Sequence, residues 1–224
     1  MMKIYRINRK GVTLVELLVA LVICGVVIAG IYRVFVAQSR AYTVQDQVVE
    51  VQQGIRSAME ILIRDLRMAG FDSDSVGSQI SIANPVIPAD HSVTVNYEYD
   101  NTHRHEVTYS LNNASLTRQL TIFPDVGPST TTTDTILEHV QALNFSYGVD
   151  ENNDGAMDDR DLNGLIDEND WVPTATVIAG NLKVVSVRVV LTANPDQTNP
   201  DVKNWVSPRT LASTVTLRNQ CMTW

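Results

Sequence analysis

The chain has 224 residues, 44% of them apolar and 19% charged, and a formal net charge of −8. That composition excludes global disorder, and the length suits one or two domains. Cys24 and Cys221, at opposite ends, exclude a disulfide-dense scaffold and a Cys/His zinc cluster, while the acidic balance excludes nucleic-acid binding, which needs a basic surface for counterion release.

Lys3, Arg6, Arg9 and Lys10 open the chain with no acid among them. From Val12 to Tyr32 the only charged residue is Glu16, and the stretch is rich in Leu, Val and Ile. A bilayer core takes about 20 mostly apolar helical residues, so Val12 to Ile31 is long enough to span one with Glu16 near an interface. The positive-inside rule then keeps the basic flank cytoplasmic and exports the rest. A secretory signal peptide cut near Ala29-Gly30 and a plain single-pass anchor fit the same pattern. Neither accounts for a carboxylate within the apolar stretch, which costs up to about 3 kcal/mol at mid-helix and points to function.

Lys10-Gly11-Val12-Thr13-Leu14-Val15-Glu16-Leu17-Leu18-Val19-Ala20 resembles the class III signal of type IV pilins and type II secretion pseudopilins. The resemblance implies that a prepilin peptidase cuts after Gly11 on the cytoplasmic side and methylates the new amine of Val12. The apolar helix then stays in the mature protein. Cleavage removes four basic residues and no acid, leaving 13 basic residues against 25 acidic ones. Glu16 is expected to meet the Val12 amine of a neighbouring helix. Opposite charges about 4 Å apart attract by about 4 kcal/mol at an effective dielectric near 20, so that pairing would set the axial register between subunits, because other registers leave the charge unpaired.

Further on, Val48, Val51, Ile55, Met59, Leu62 and Leu66 recur at three- and four-residue spacing, an amphipathic helical stripe. Glu60 and Arg64 are placed for an i,i+4 pair. No proline occurs from Val12 to Phe71, and Gly70 is a natural stop. One helix is predicted from Thr13 to Met68, roughly 80 Å at 1.5 Å per residue. Arg64-Asp65-Leu66-Arg67-Met68-Ala69-Gly70-Phe71, with Gln52-Gln53 and Arg56-Ser57-Ala58-Met59 before it, resembles PilW-type minor pilins, as does the terminal run Thr210 to Asn219. The J-type pseudopilin of type II secretion has a similar layout. The helix-interior proline common in such proteins is absent.

Beyond Phe71 the period shifts from 3.6 to 2. Strands are predicted over Ser92–Tyr99 and Glu106–Leu111, joined by a turn at Asp100-Asn101-Thr102-His103, then over Ser115–Ile122, Ile136–Tyr147, Leu182–Thr192 and Thr210–Leu217. The Thr-rich stretch Val126–Asp134 and the segment Asn194–Pro200 read as loops. The expected fold is α+β and pilin-like: a leader over 1–11, a long N-terminal helix over 12–70 (transmembrane over 12–32), and a β-rich domain over 71–224 whose mostly antiparallel sheet packs on the helix.

The segment Asp150 to Asp170 holds nine of the 25 acids and a single basic residue, Arg160. Asp150, Asn152, Asp154 and Gly155 form D-x-N-x-D-G with Asp158 beyond; Asp159, Asp161, Asn163 and Gly164 repeat it with Asp167 at the same offset and Asp170 at position 12. Calcium takes six to eight oxygens, and alternate side chains on a turning loop supply them. The spacing resembles half of an EF-hand loop or a thrombospondin type 3 repeat, without a position-12 Glu or flanking helices. It is read as a calcium site, against a solvated acidic loop. His91, His103, His105 and His139 lack metal spacing and read as surface residues. Cys24 reads as a buried apolar thiol within the membrane segment, and Cys221 as unpaired.

The resulting expectation is a structural minor pilin that initiates or caps a type IV pilus. Its implied partners are the prepilin peptidase, other minor pilins, the major pilin, an inner-membrane assembly platform and the lipid bilayer. It is placed in the inner membrane, N-terminus cytoplasmic and domain periplasmic, and then in the filament. A type II secretion pseudopilin is the alternative, and a calcium-dependent binding module at a filament tip is a reading of another class. An exported enzyme has no catalytic constellation behind it: G-x-S-x-G, P-loop and H-E-x-x-H motifs are absent.

Overall fold

The computed structural model describes residues 11–72, 82–89, 91–195 and 206–221. Residues 1–10 of the expected leader (1–11) and residues 196–200 of the expected loop (194–200) lie outside the described residues. The chain divides into two units, Met1–Asp46 and Gln47–Trp224. Helix α1 (Leu14–Met68) carries the division, and it contains no proline to remove a backbone donor.

In the first unit the helix surface is apolar and exposed from residue 14 to 35, with Leu14 at 76% and Val26 at 69%. Its most apolar 18-residue window has a mean hydropathy of 2.9, apolar and long enough to cross a membrane. Cys24 lies on this exposed surface, so the expected burial of its thiol is not provided by protein packing.

In the second unit α1 buries Val51, Ile55, Ala58, Met59, Leu62, Asp65 and Leu66 on one face, and Val48 is half-buried beside them. The Glu60–Arg64 pair is not formed; the Arg64 guanidinium lies 4.0 Å from Asp65 instead. Ala69 and Gly70 end the helix, Gly70 in the left-handed region at φ +72°. The backbone amide of Gly70 then donates to Asn96 O at 2.8 Å.

The β-structure forms two antiparallel sheets rather than the one expected. The first has the order β1 (Val86–Ala89), β2 (Ser92–Asp100), β3 (His103–Asn112), β4 (Ser115–Pro124), β5 (Thr130–Leu137). The second has the order β6 (Val140–Asp150), β7 (Lys183–Ala193), β8 (Arg209–Thr216). The expected single strand Ile136–Tyr147 is broken at Glu138-His139, where His139 has φ +57°. That left-handed residue ends β5 and starts β6 on the other sheet. The expected Thr-rich loop is in large part β5: threonine is β-branched and suits a pleated strand, and Thr130 to Thr135 are exposed because β5 is an edge. β1 and helix α2 (Thr174–Gly180) are too short to give a periodic signal. The β3–β4 hairpin closes on Asn113 (φ 48°) and Ala114 (φ 58°), two left-handed residues that match a type I′ turn.

One core joins the helix stripe to the inner faces of both sheets. Val93, Val95, Val107, Tyr109 and Leu116 come from the first sheet, and Leu143, Tyr147, Val187, Val189 and Leu191 from the second. Each fully buried leucine of this kind stabilises by roughly 1.5–3 kcal/mol. Asp65 is a charged group enclosed with them. Asp65 Oδ2 accepts from Tyr109 Oη at 2.7 Å and from Arg118 Nε at 2.8 Å. Burial and the adjacent carboxylate push the Tyr109 phenol far above its ordinary value, so it stays a donor. The contact ties α1 to β3 and β4. The α+β class, a long N-terminal apolar helix with antiparallel sheets, is as expected.

Candidate functional site

At the N-terminal motif, Gly11 and Val12 precede the helix and are exposed. Thr13 and Glu16 form a capping box. The Glu16 carboxylate accepts from Thr13 N at 2.8 Å and from Thr13 Oγ1 at 2.9 Å, while Glu16 N donates to Thr13 Oγ1 at 3.3 Å. The acid is thus held over the first turn, where unpaired amides and the helix dipole favour negative charge. Sequence reasoning passed over Thr13, although the T-x-x-E signature was there to find it. Glu16 remains exposed and has no cationic partner among the described residues of the chain.

The acidic loop repeats its geometry with a period of nine. Asp150 accepts from the amides of Asp154 (3.1 Å) and Gly155 (3.0 Å); Asp159 accepts from those of Asn163 and Gly164. Asn153 and Leu162 both have φ near +60°, and Gly155 and Gly164 have φ of +84° and +85°. Side chains at the next alternate positions close further turns, Asp154 on Ala156 N and Asn163 on Leu165 N, each at 2.8 Å. Gly155 is also required sterically, since a Cβ there would strike the Cys221 carbonyl.

The two turns differ in charge. Asp150 is buried, and the Lys183 ammonium lies 2.9 Å from its Oδ2. Burial raises its affinity for a proton, but Lys183 and the Gly155 amide outweigh that and hold the carboxyl below its ordinary value. In the second turn Asp159, Asp161 and Asp170 each present an oxygen, all within 4.8 Å of one another. Asp170 is fully buried and accepts from the amides of Arg160 and Asp167, both at 2.7 Å. Of the nine residues read as ligands, these three converge. Asn152, Asp154, Asp158, Asn163 and Asp167 line the turns around them, and Asp150 is committed to Lys183. Arg160 pairs with Glu151, and Arg188 with Glu168 while stacking on Trp171 at 4.3 Å. Lys183 and Arg188, which lie outside the loop, gave no local signal in the sequence.

Because its carboxyl is lowered, Asp150 supports stability that is complete above the ordinary carboxylate range and is lost as pH falls through the folded value. The difference in melting temperature between wild type and Asp150→Asn should therefore be constant above about pH 5 and shrink below about pH 4. Melting the full chain in detergent across that range checks it, and a difference that grows on acidification contradicts it.

His105, read as a surface residue, is buried: its ring stacks on Tyr99 at 4.4 Å and meets Tyr97 edge-on at 5.5 Å. Burial pushes its imidazole toward the neutral form. His103 instead contacts Asp100 at 2.8 Å.

An exposed apolar helix, long and apolar enough to cross a membrane and capped by a motif of this form, precedes the α+β domain. Residues 6–32 match the family model described as the prokaryotic N-terminal methylation motif, and that match supports a type IV pilin-like protein or pseudopilin, processed by a prepilin peptidase and assembled with other pilins. No curated protein matches the chain.

Proposed function

We propose that this protein is a PilW-type minor pilin that helps initiate or cap a type IV pilus. The observation that carries this is the methylation motif over residues 6–32 running directly into an unbroken exposed apolar helix. The chain inserts in the inner membrane with its basic end cytoplasmic, is cut after Gly11 and methylated on Val12, and enters the filament by lateral packing of stems. Glu16, already gathered over the first turn by Thr13, meets the Val12 amine of a neighbour, a countercharge that the described residues of its own chain do not supply. The domain selects neighbouring minor and major pilins on the assembly platform. N-terminal mass spectrometry of protein from its native host should find a methylated Val12. A chain beginning beyond Ala29, or one retaining Met1, overturns the proposal. The same motif serves a type II secretion pseudopilin, and co-purification with secretion rather than pilus subunits would assign it there.

The convergence of Asp159, Asp161 and Asp170 favours a second reading, a calcium-dependent element of the displayed domain. These three residues would hold the ion, with Asn163 and Asp167 beside them, and its charge would relieve their mutual repulsion. Titrating calcium into the full chain in detergent should release heat and raise the melting temperature, and Asp159→Asn/Asp161→Asn should abolish both. No heat and no stabilisation in wild type removes this reading.

A further inference from the structure

The two outer strands of the second sheet are finished differently. β6 is bridged on its outer side, where Tyr147 and Val172 exchange backbone hydrogen bonds. β8 forms no backbone hydrogen bond beyond its pairing with β7 among the described residues, so it presents a row of unused amides and carbonyls. The usual blocks against strand pairing are missing from it. β8 holds no proline, its register with β7 runs without a bulge, and its one charged residue, Arg209, stands at the first position. Helix α1 runs beside it, and two grooves lie along the seam. Arg56 and Arg209 line one of about 260 Å³ with Gln52 and Leu211; Arg67 and Arg218 line the other, of about 440 Å³, with Thr214 and Thr216. An open edge beside a groove is the setting in which an extended segment adds to a sheet: its backbone pairs with the strand and its alternate side chains enter the groove.

The grooves are positive in a chain whose net charge is −8. Arg118, Arg160, Lys183 and Arg188 are each paired with an acid, whereas Arg56, Arg67, Arg209 and Arg218 have no carboxylate partner among the described residues. All four are exposed. Arg56 and Arg67 stand three helical turns apart, about 16 Å, which is the span of about five residues of an extended strand at about 3.3 Å each. Acids four or six positions apart on such a strand share one face and reach both arginine pairs. We infer that the α1–β8 seam takes an extended, carboxylate-rich segment of a neighbouring pilin of different sequence, which pairs with β8 and sets its acids against the two arginine pairs. The open edge selects an extended backbone, and the guanidinium groups select carboxylates, which they bind through two parallel hydrogen bonds. The inference deepens the minor-pilin reading and rests on it for the source of the segment, since an initiating or capping subunit has neighbours other than itself. It leaves the acidic loop to its cation.

The probe is a fluorescent peptide of eight residues, the length of β8, alternating glutamate with threonine and valine and blocked at both ends. Its anisotropy is read against the full chain in non-ionic detergent. Wild type should bind it at about 50 mM salt and about tenfold or more weaker at about 500 mM, since exposed charge pairs are screened. The peptide with glutamine for glutamate lacks the charge, and the peptide N-methylated along its backbone lacks the amides that pair with β8; each should bind about tenfold or more weaker. Arg56→Gln/Arg209→Gln and Arg67→Gln/Arg218→Gln should each weaken the acidic peptide by about tenfold, with melting temperatures as in wild type because the side chains are exposed. Arg56→Glu/Arg67→Glu/Arg209→Glu/Arg218→Glu should turn the preference to a peptide carrying lysine for glutamate. Failure of wild type to bind the acidic peptide, equal binding of the N-methylated peptide, or full binding by both glutamine variants overturns the inference. The minor-pilin reading is judged separately, on the N-terminus of protein from its host, so the two failures are told apart.

Discussion

Glu16→Ala should leave the protein cleaved and membrane-bound while its incorporation into filaments falls by at least about tenfold. Each 1.4 kcal/mol is a factor of ten, and the charge pair with a neighbour's amine contributes up to about 4 kcal/mol. The substitution also deletes the capping box with Thr13, and loss of a helix cap by itself costs about 1 kcal/mol. Glu16→Gln separates the two effects. Glutamine serves at this position of a capping box, so it keeps the cap and removes only the charge. Both variants should be defective if register depends on charge. Immunoblots of sheared filaments against membrane fractions give the measurement. Normal incorporation of Glu16→Gln would mean that the acid acts through the helix end alone.

The largest effect on stability is expected at Asp65. Asp65→Ala strips the acceptor from two donors at once, the Tyr109 hydroxyl and the Arg118 guanidinium, within a contact that is almost fully enclosed. Breaking a buried pair on one side costs about 3–5 kcal/mol, because the remaining charge is left desolvated. Leu62→Ala, in the same stripe, should cost about 2–5 kcal/mol through the cavity it opens. The difference between them lies in rescue. Asp65→Ala/Arg118→Met should recover much of the loss, since an apolar pair of similar shape leaves no orphan charge. Denaturant melts of the full chain in detergent check this. An Asp65→Ala cost below about 1 kcal/mol, the range of exposed pairs, would show that the contact is solvated.

Much of the first unit was legible because its signals are local. Glu16 stands out as the lone charge in an apolar run, and Thr13 was equally visible through its three-residue offset. The α1 stripe was legible for the same reason: 3.6-residue periodicity reports burial directly, and the structure buries Val51, Ile55, Met59, Leu62 and Leu66 as the spacing requires. The loop repeat was visible as D-x-N-x-D-G followed by its copy, and the structure gives the two turns matching dihedral angles. Pairing partners were not visible. Lys183 is 33 positions from Asp150, and Arg118 is 53 from Asp65; nothing in a window around either acid points to its cation.

By itself the sequence determined the continuous helix, the change to alternating strands, the turn chemistry of the acidic segment and the motif at the N-terminus. Each depends on interactions among residues fewer than about ten apart. Only the tertiary structure decided that the strands divide into two sheets, that a threonine run becomes an edge strand, and that His105 is enclosed by tyrosines. It also decided which aspartates converge and which are neutralised. These outcomes depend on distant segments meeting, and side-chain identity sets what such a meeting is worth without setting where it occurs.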